Sequence, residues 1–152
     1  MSDEKPSHYV KLSLPVEGDD GSFDIESVWA TAEDTGYRID NIPFYVRGYA
    51  WGDVISAMPD PDGMLRVTRL VTASGHSTVR LWFGEDHVGD VQKVRDKLRA
   101  MRCDSEVDLA RLVAVDIPPD VPYAQIRQYL EELVRTGVLE YEEACLGQLP
   151  AS

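Results

Sequence analysis

The sequence predicts an α+β protein: an N-terminal bent antiparallel β-sheet or partial barrel packed on a C-terminal ferredoxin-like βαββαβ unit. Three observations carry this expectation. Between residues 9 and 73, apolar and polar residues alternate in short segments separated by turn residues, the period of half-buried strands. Beyond residue 78, two stretches switch to spacings of three and four, the period of amphipathic helices. Short apolar runs flank those stretches in the order strand, helix, strand, strand, helix, strand. The 152 residues are enough for one domain or two small lobes. The expected lobes are 8–75, β-rich, and 76–148, ferredoxin-like, forming one compact unit.

Residues 9–14 alternate Tyr9, Lys11 and Ser13 against Val10, Leu12 and Leu14, one apolar face of a strand. PVEGDDGS (15–22) is a turn cluster. In 23–32 the apolar phase breaks between Ile25 and Val28, which predicts a β-bulge near Ser27. EDTG (33–36) turns the chain into a strand at 37–42, which Pro43 ends. Strands are expected at 54–58 and 64–73, around the turn at 59–63. SGHST (74–78) is the joint. A strand follows at 79–83, then a turn at 84–89 with Glu85 or Asp86 as a helix cap. Val91, Val94, Leu98 and Met101 form one helical stripe. Residues 105–109 are a polar edge strand, and LVAVDI (112–117) has the continuous apolar character of a central one. Asp120 is expected to cap the next helix, with Pro122 in its first turn. Ile126, Tyr129, Leu130 and Leu133 form that helix's stripe, Gly137 ends it, and 138–146 is the last strand. The strands 79–83 and 112–117 are expected at the centre of the sheet.

The formal net charge is −12. Residues 1–75 carry six Lys/Arg against thirteen Asp/Glu, and the remainder nine against fourteen, so both halves are acidic. A field of that sign repels phosphate backbones, which disfavours nucleic acid and anionic membranes. Trp82 sits where RNA-recognition sheets place stacking aromatics, but Leu112, Ala114 and Asp116 opposite it are not aromatic. Burial of Trp82 under the N-terminal lobe is expected instead. Cys103 and Cys145 form no CxxC pair and have no His cluster nearby, so no metal site or cofactor is expected. The N-terminal residues have no apolar secretory core, and a cytoplasmic location with both thiols reduced is expected.

Catalytic motifs are weak. His76 beside Ser77 and Thr78 is the arrangement nearest to nucleophilic chemistry, but neighbours in a strand point to opposite faces and cannot serve each other. Asp40, Asp53 and Asp116 each end an apolar strand beside a proline- or aromatic-rich turn. Of these, Asp53 and Asp40 are the candidate acid/base partners of His76. DPDG (60–63) lacks the spacing of a calcium loop, and the glycines of 84–90 lack that of a phosphate loop. The densest aromatic stretch is 41–53. Phe44, Tyr45, Tyr49 and Trp51, with His76 and Ser77, are expected to line a ligand site at the joint.

The blocks SVWA…GYRIDNIPFYVRGYAWGDVISAMPDPDG (27–63), SGHSTVRLWF (74–83), LVAVDIPP (112–119) and LEYEEACLG (139–147) resemble the bacterial domain of unknown function family DUF4265. The resemblance implies bacterial origin and a single unit, and transfers no catalytic residue. The functional expectation is a non-catalytic binding or accessory protein that contacts a protein or a small ligand at the joint. Two alternatives stand beside it: an acidic inhibitor or immunity-type protein for a basic toxin or nuclease, and a small hydrolase-like enzyme using His76 with a nearby carboxylate. An exposed edge at 105–109 could pair across a homodimer.

Overall fold

The computed structural model describes residues 8–18 and 20–147. Five strands, β1 (Tyr9–Glu17), β2 (Phe23–Glu33), β3 (Gly36–Ile39), β4 (Val54–Pro59) and β5 (Leu65–Thr72), form a closed barrel. The bent sheet or partial barrel expected here is a fully closed barrel. An up-and-down meander of five strands leaves its first and last running in the same direction, so its closing seam has to be parallel. That seam joins β1 to β5 at Leu12↔Leu65 and Ser13↔Arg66. Leu12, Leu14, Val28, Ala30, Ile39 and Ile55 fill the interior, together with Val46 from the β3–β4 connection.

The expected bulge near Ser27 is absent. β1 and β2 pair without interruption from Tyr9↔Thr31 to Glu17↔Phe23. Val28 and Ala30 hold the inward phase, whereas Ile25 is on the outer phase and 56% exposed. The inward position before Val28 is Glu26, a carboxylate with partners of its own. Irregular pairing occurs instead between β4 and β5, where the register shifts at Val54/Ile55 and at Ser56/Ala57.

The second sheet contains β6 (Ser77–Phe83), β7 (Ser105–Asp108), β8 (Leu112–Ile117) and β9 (Leu139–Cys145). Its order is β7-β8-β6-β9 with every pair antiparallel, so β6 and β8 are the inner strands. Alternation divides each strand between two faces. Val79, Leu81, Phe83, Val113, Val115 and Ile117 face α1 (Val91–Ala100) and α2 (Tyr123–Arg135), meeting Val94, Leu98, Ile126 and Leu130 in a second core. Thr78, Arg80, Trp82, Ala114 and Asp116 occupy the opposite phase. A 3-10 helix, Glu85–Asp90, replaces the expected turn before α1, and neither Glu85 nor Asp86 caps a helix through its side chain. Asp120 does not cap α2 either: Pro122 holds the N-cap position, and the Asp120 carboxylate accepts a bond from Arg102 Nη1 at 2.9 Å. Gly137 follows α2 with φ 80°, and Val138 N–H closes back on Leu133 O, the geometry of a glycine stop. No helix among the described residues is long and apolar enough to cross a membrane.

The approach of β3 to β4 is close at Gly36, where an added Cβ would lie 2.2 Å from Ile55 O. The atom it meets is backbone and cannot rotate aside. Gly36→Ala is therefore expected to lower unfolding free energy by about 1–3 kcal/mol, measured by urea denaturation, with an unchanged midpoint contradicting the close approach.

Candidate functional site

The connection between β3 and β4, residues 40–53, lies between the two cores. It crosses the face of the second sheet that the helices leave open. Its inner side faces the barrel, where Glu26 accepts the backbone N–H groups of Phe44 (2.6 Å), Tyr45 (2.9 Å) and Val46 (2.9 Å). Its outer side faces Arg80 on β6. The Arg80 guanidinium donates to the carbonyls of Val46 (2.9 Å), Tyr45 (3.2 Å) and, at 3.5 Å, Pro43. Its Nε donates to Glu142 Oε1 at 2.8 Å, and Glu142 Oε2 takes Arg47 at 2.6 Å. One anion thus binds the donors of this short segment, and one cation binds its acceptors. Buried backbone groups need such partners when no sheet supplies them.

Burial pushes the Glu142 carboxyl up, but hydrogen bonds and charge from Arg80 and Arg47 outweigh it, and the net shift is downward. Arg80 is 5% exposed, so its charge is held by this network and not by water. Further bonds tie the connection to the sheet: Gly48 N–H to Ala144 O, and Thr78 Oγ1 to Tyr49 O. The Tyr45 hydroxyl donates to Asp108 on β7, and that bond together with burial pushes the phenol up to about 12.

Beside this crossing is a groove of about 430 Å³. The β1–β2 hairpin contributes Glu17 and Gly18, the connection Phe44, Tyr45 and Arg47, and the sheet Trp82, Leu112 and Glu140. Trp82 is 44% exposed here. Its expected burial under the N-terminal lobe is corrected: the connection covers the Arg80 row of the sheet, and beyond it Leu112 is buried while Trp82 stays open. Arg111 lies over the indole, 5.0 Å from the ring centroid.

His76 sits at the other end of the joint. Its Nδ1 is 2.8 Å from Asp116 Oδ1, and its ring packs at 4.9 Å against Trp51. Burial pushes the Asp116 carboxyl up, and His76 pulls it partly back. The expected pairing of His76 with Asp53 or Asp40 gives way to Asp116. Asp53 is committed to the backbone, accepting Ala50 N–H (3.0 Å) and Ser74 N–H (2.9 Å). Asp40 accepts Trp51 Nε1 at 3.1 Å. Ser77 is fully buried, and its Oγ accepts Gly147 N–H. Ser74 Oγ accepts His76 N–H and donates to Trp51 O. Burial pushes the thiols of Cys103 and Cys145 up to about 12 and about 11. These hydroxyls and thiols are poorly disposed as nucleophiles.

Of the residues expected to line a ligand site, Phe44 and Tyr45 reach the groove, whereas Trp51 and His76 pack together beside Asp116, Tyr49 packs against the barrel core and Ser77 is buried and bonded to Gly147. Sequence reasoning missed Arg80, Glu26 and Glu142, and placed Trp82 in the wrong environment. The available signal was charge at a structured phase: an acid at an inward position of β2 and a base in the middle of an inner strand.

A five-stranded barrel bound through a crossing connection to a four-stranded sheet with two helices defines an α+β class of protein. The chain belongs to the family described as Domain of unknown function (DUF4265), whose model matches residues 26–141. A solved structure described as a hypothetical protein from Neisseria gonorrhoeae is similar in fold, with TM-score 0.76 and 19% identity over 92% of this chain and 96% of that one. None of the curated proteins matches the chain.

Replacing Arg80 strips the donor from Glu142 and from the loop carbonyls together. Arg80→Met should cost about 2–4 kcal/mol in chemical denaturation, and Arg80→Lys should recover only part, since an ammonium does not match the spread of acceptors. A loss below about 0.5 kcal/mol would contradict the network. The lowered Glu142 value also fixes a sign. The stability it contributes is fully present above the ordinary carboxylate value of about 4.3 and is lost as pH falls through the lower folded-state value. The stability difference between wild type and Glu142→Gln should therefore be larger at neutral pH than near pH 3, read by urea denaturation at both.

Proposed function

We propose that this is a non-catalytic binding or accessory protein whose ligand lodges in the groove between barrel and sheet. One observation carries the reading: at the seam of two separately packed cores, a cleft of about 430 Å³ collects Phe44, Tyr45, Trp82 and Leu112 beside carboxylates. That volume falls in the range of about 300–1,000 Å³ usual for ligand pockets, and seams between packed units are where such pockets concentrate. The ligand is a partner protein or a small molecule. The second sheet serves as a ferredoxin-like platform, in keeping with its strand order and with both helices on one face. A cytoplasmic site of action accords with two free cysteines. The hydrolase-like alternative draws on the His76–Asp116 contact, but the hydroxyls around that pair are engaged in other bonds.

Amide and indole shift mapping of the labelled protein against a set of small aromatic and aliphatic fragments tests this. Binders should shift Tyr45, Trp82 and Glu140 together, and Trp82→Ala should weaken them by about tenfold, the loss of one aromatic contact of about 1.4 kcal/mol. Shifts centred on His76 and Trp51 instead would move the site to the other end of the joint.

A further inference from the structure

We infer that the groove receives a basic peptide segment of a partner protein, a stretch bearing arginine or lysine with an apolar residue beside the cation. This rests on the groove being a binding site, and it adds the chemistry of the ligand. The walls come first. Glu17 ends β1 on one side, within a stretch from Leu12 to Tyr37 that contains seven Asp/Glu and no Lys or Arg. Glu140 stands on β9 at the other. The two cations lining the groove, Arg47 and Arg80, are both bonded to Glu142. Neither Glu17 nor Glu140 forms an ion pair with any described residue. Arg111, over the Trp82 indole, is committed to Phe83 O and Glu85. The lining thus has two carboxylates on separate elements that pair with no cation among the described residues.

The floor is the second ground. Leu112, Trp82 and Glu140 are cross-strand neighbours on β8, β6 and β9. Directly opposed side chains in a sheet lie about 5 Å apart, so this row presents an aliphatic group, an indole and a carboxylate in sequence. A cation flanked by an apolar residue complements that row: charge on Glu140, stem or neighbouring side chain on Trp82 and Leu112. Tyr45, 45% exposed, extends the aromatic surface toward the connection. Third, a chain of net charge −12 attracts basic partners and repels acidic ones at long range. A free small cation answers one carboxylate, whereas a peptide spans from Glu140 across Trp82 to Glu17 on the hairpin.

The test titrates the labelled full chain with three probes: an amidated hexapeptide alternating arginine and leucine, its counterpart with glutamate for arginine, and n-butylguanidinium. The arginine peptide should shift Tyr45, Trp82 and Glu140, and its affinity should fall about tenfold or more on raising salt to about 0.5 M. Glu17→Lys and Glu140→Lys should each weaken it by about tenfold, while Asp96→Lys, the same charge change on the exposed side of α1, should change it less than about twofold. Equal binding of the glutamate peptide, or equal loss with Asp96→Lys, overturns the inference. Should n-butylguanidinium or a neutral fragment occupy the groove while the arginine peptide does not, the peptide is wrong and the groove remains a small-molecule site. If no probe or fragment shifts the groove, both readings fall.

Discussion

The structure depends on the buried guanidinium of Arg80. A desolvated cation is costly unless its donors are matched, and here Glu142 and loop carbonyls match them. Those carbonyls belong to a segment with no strand partner of its own, so the cation and the segment each satisfy what the other cannot. Glu26 completes the arrangement from the barrel side by taking the N–H groups of Phe44, Tyr45 and Val46. Tyr45 and Val46 are thereby bonded at both N–H and C=O, and the Val46 side chain is left to seal the barrel core. The two lobes are joined through polar chemistry on a shared loop and not by merging their apolar cores.

This has a consequence for where a ligand can sit. A loop held at Arg80 covers the cross-strand rows of Thr78 and Arg80. In the next row Tyr45 reaches Asp108 at the β7 end and Leu112 is buried, whereas Trp82 and Glu140 stay open beside the β1–β2 hairpin, and the groove lies over them. The same loop, continuing through Tyr49 and Trp51, closes the other end of the joint over His76 and Asp116, where tight packing leaves hydroxyls bonded inward. One loop therefore makes an open end and a closed end.

Much of the fold was legible in the sequence because it is local. Alternation marked the strands, the Val91–Val94–Leu98 stripe marked α1, and the nearly continuous apolar run 112–117 marked an inner strand, which proves buried at all six positions. Barrel closure was not legible, since it rests on a seam between β1 and β5, far apart in the chain. Glu26 reads as a break in register because an acid at an inward phase violates the binary pattern, and the violation marks the carboxylate that takes the N–H groups of the connection. Arg80 looked like an ordinary polar position on the open face of a sheet, and only the return of the connection over it makes the position buried. For His76, the carboxylate partner follows from pairing: antiparallel β6 and β8 set Thr78 opposite Asp116, at the end of the strand where His76 enters. Phe44 and Tyr45 were picked out by aromatic density, which says that rings cluster without saying which way each one faces.

The central claim is that Glu26 and Arg80 act on one loop and so depend on each other, although they lie in different lobes. A double-mutant cycle of Glu26→Gln and Arg80→Met, followed by urea denaturation, tests it most directly. If the loop transmits between them, the double variant should lose less than the sum of the singles, with a coupling of about 1 kcal/mol or more, because once either partner is gone the loop no longer presents the other's atoms. Losses that add to within about 0.5 kcal/mol would mean that the two contacts are independent and that something else holds the lobes together.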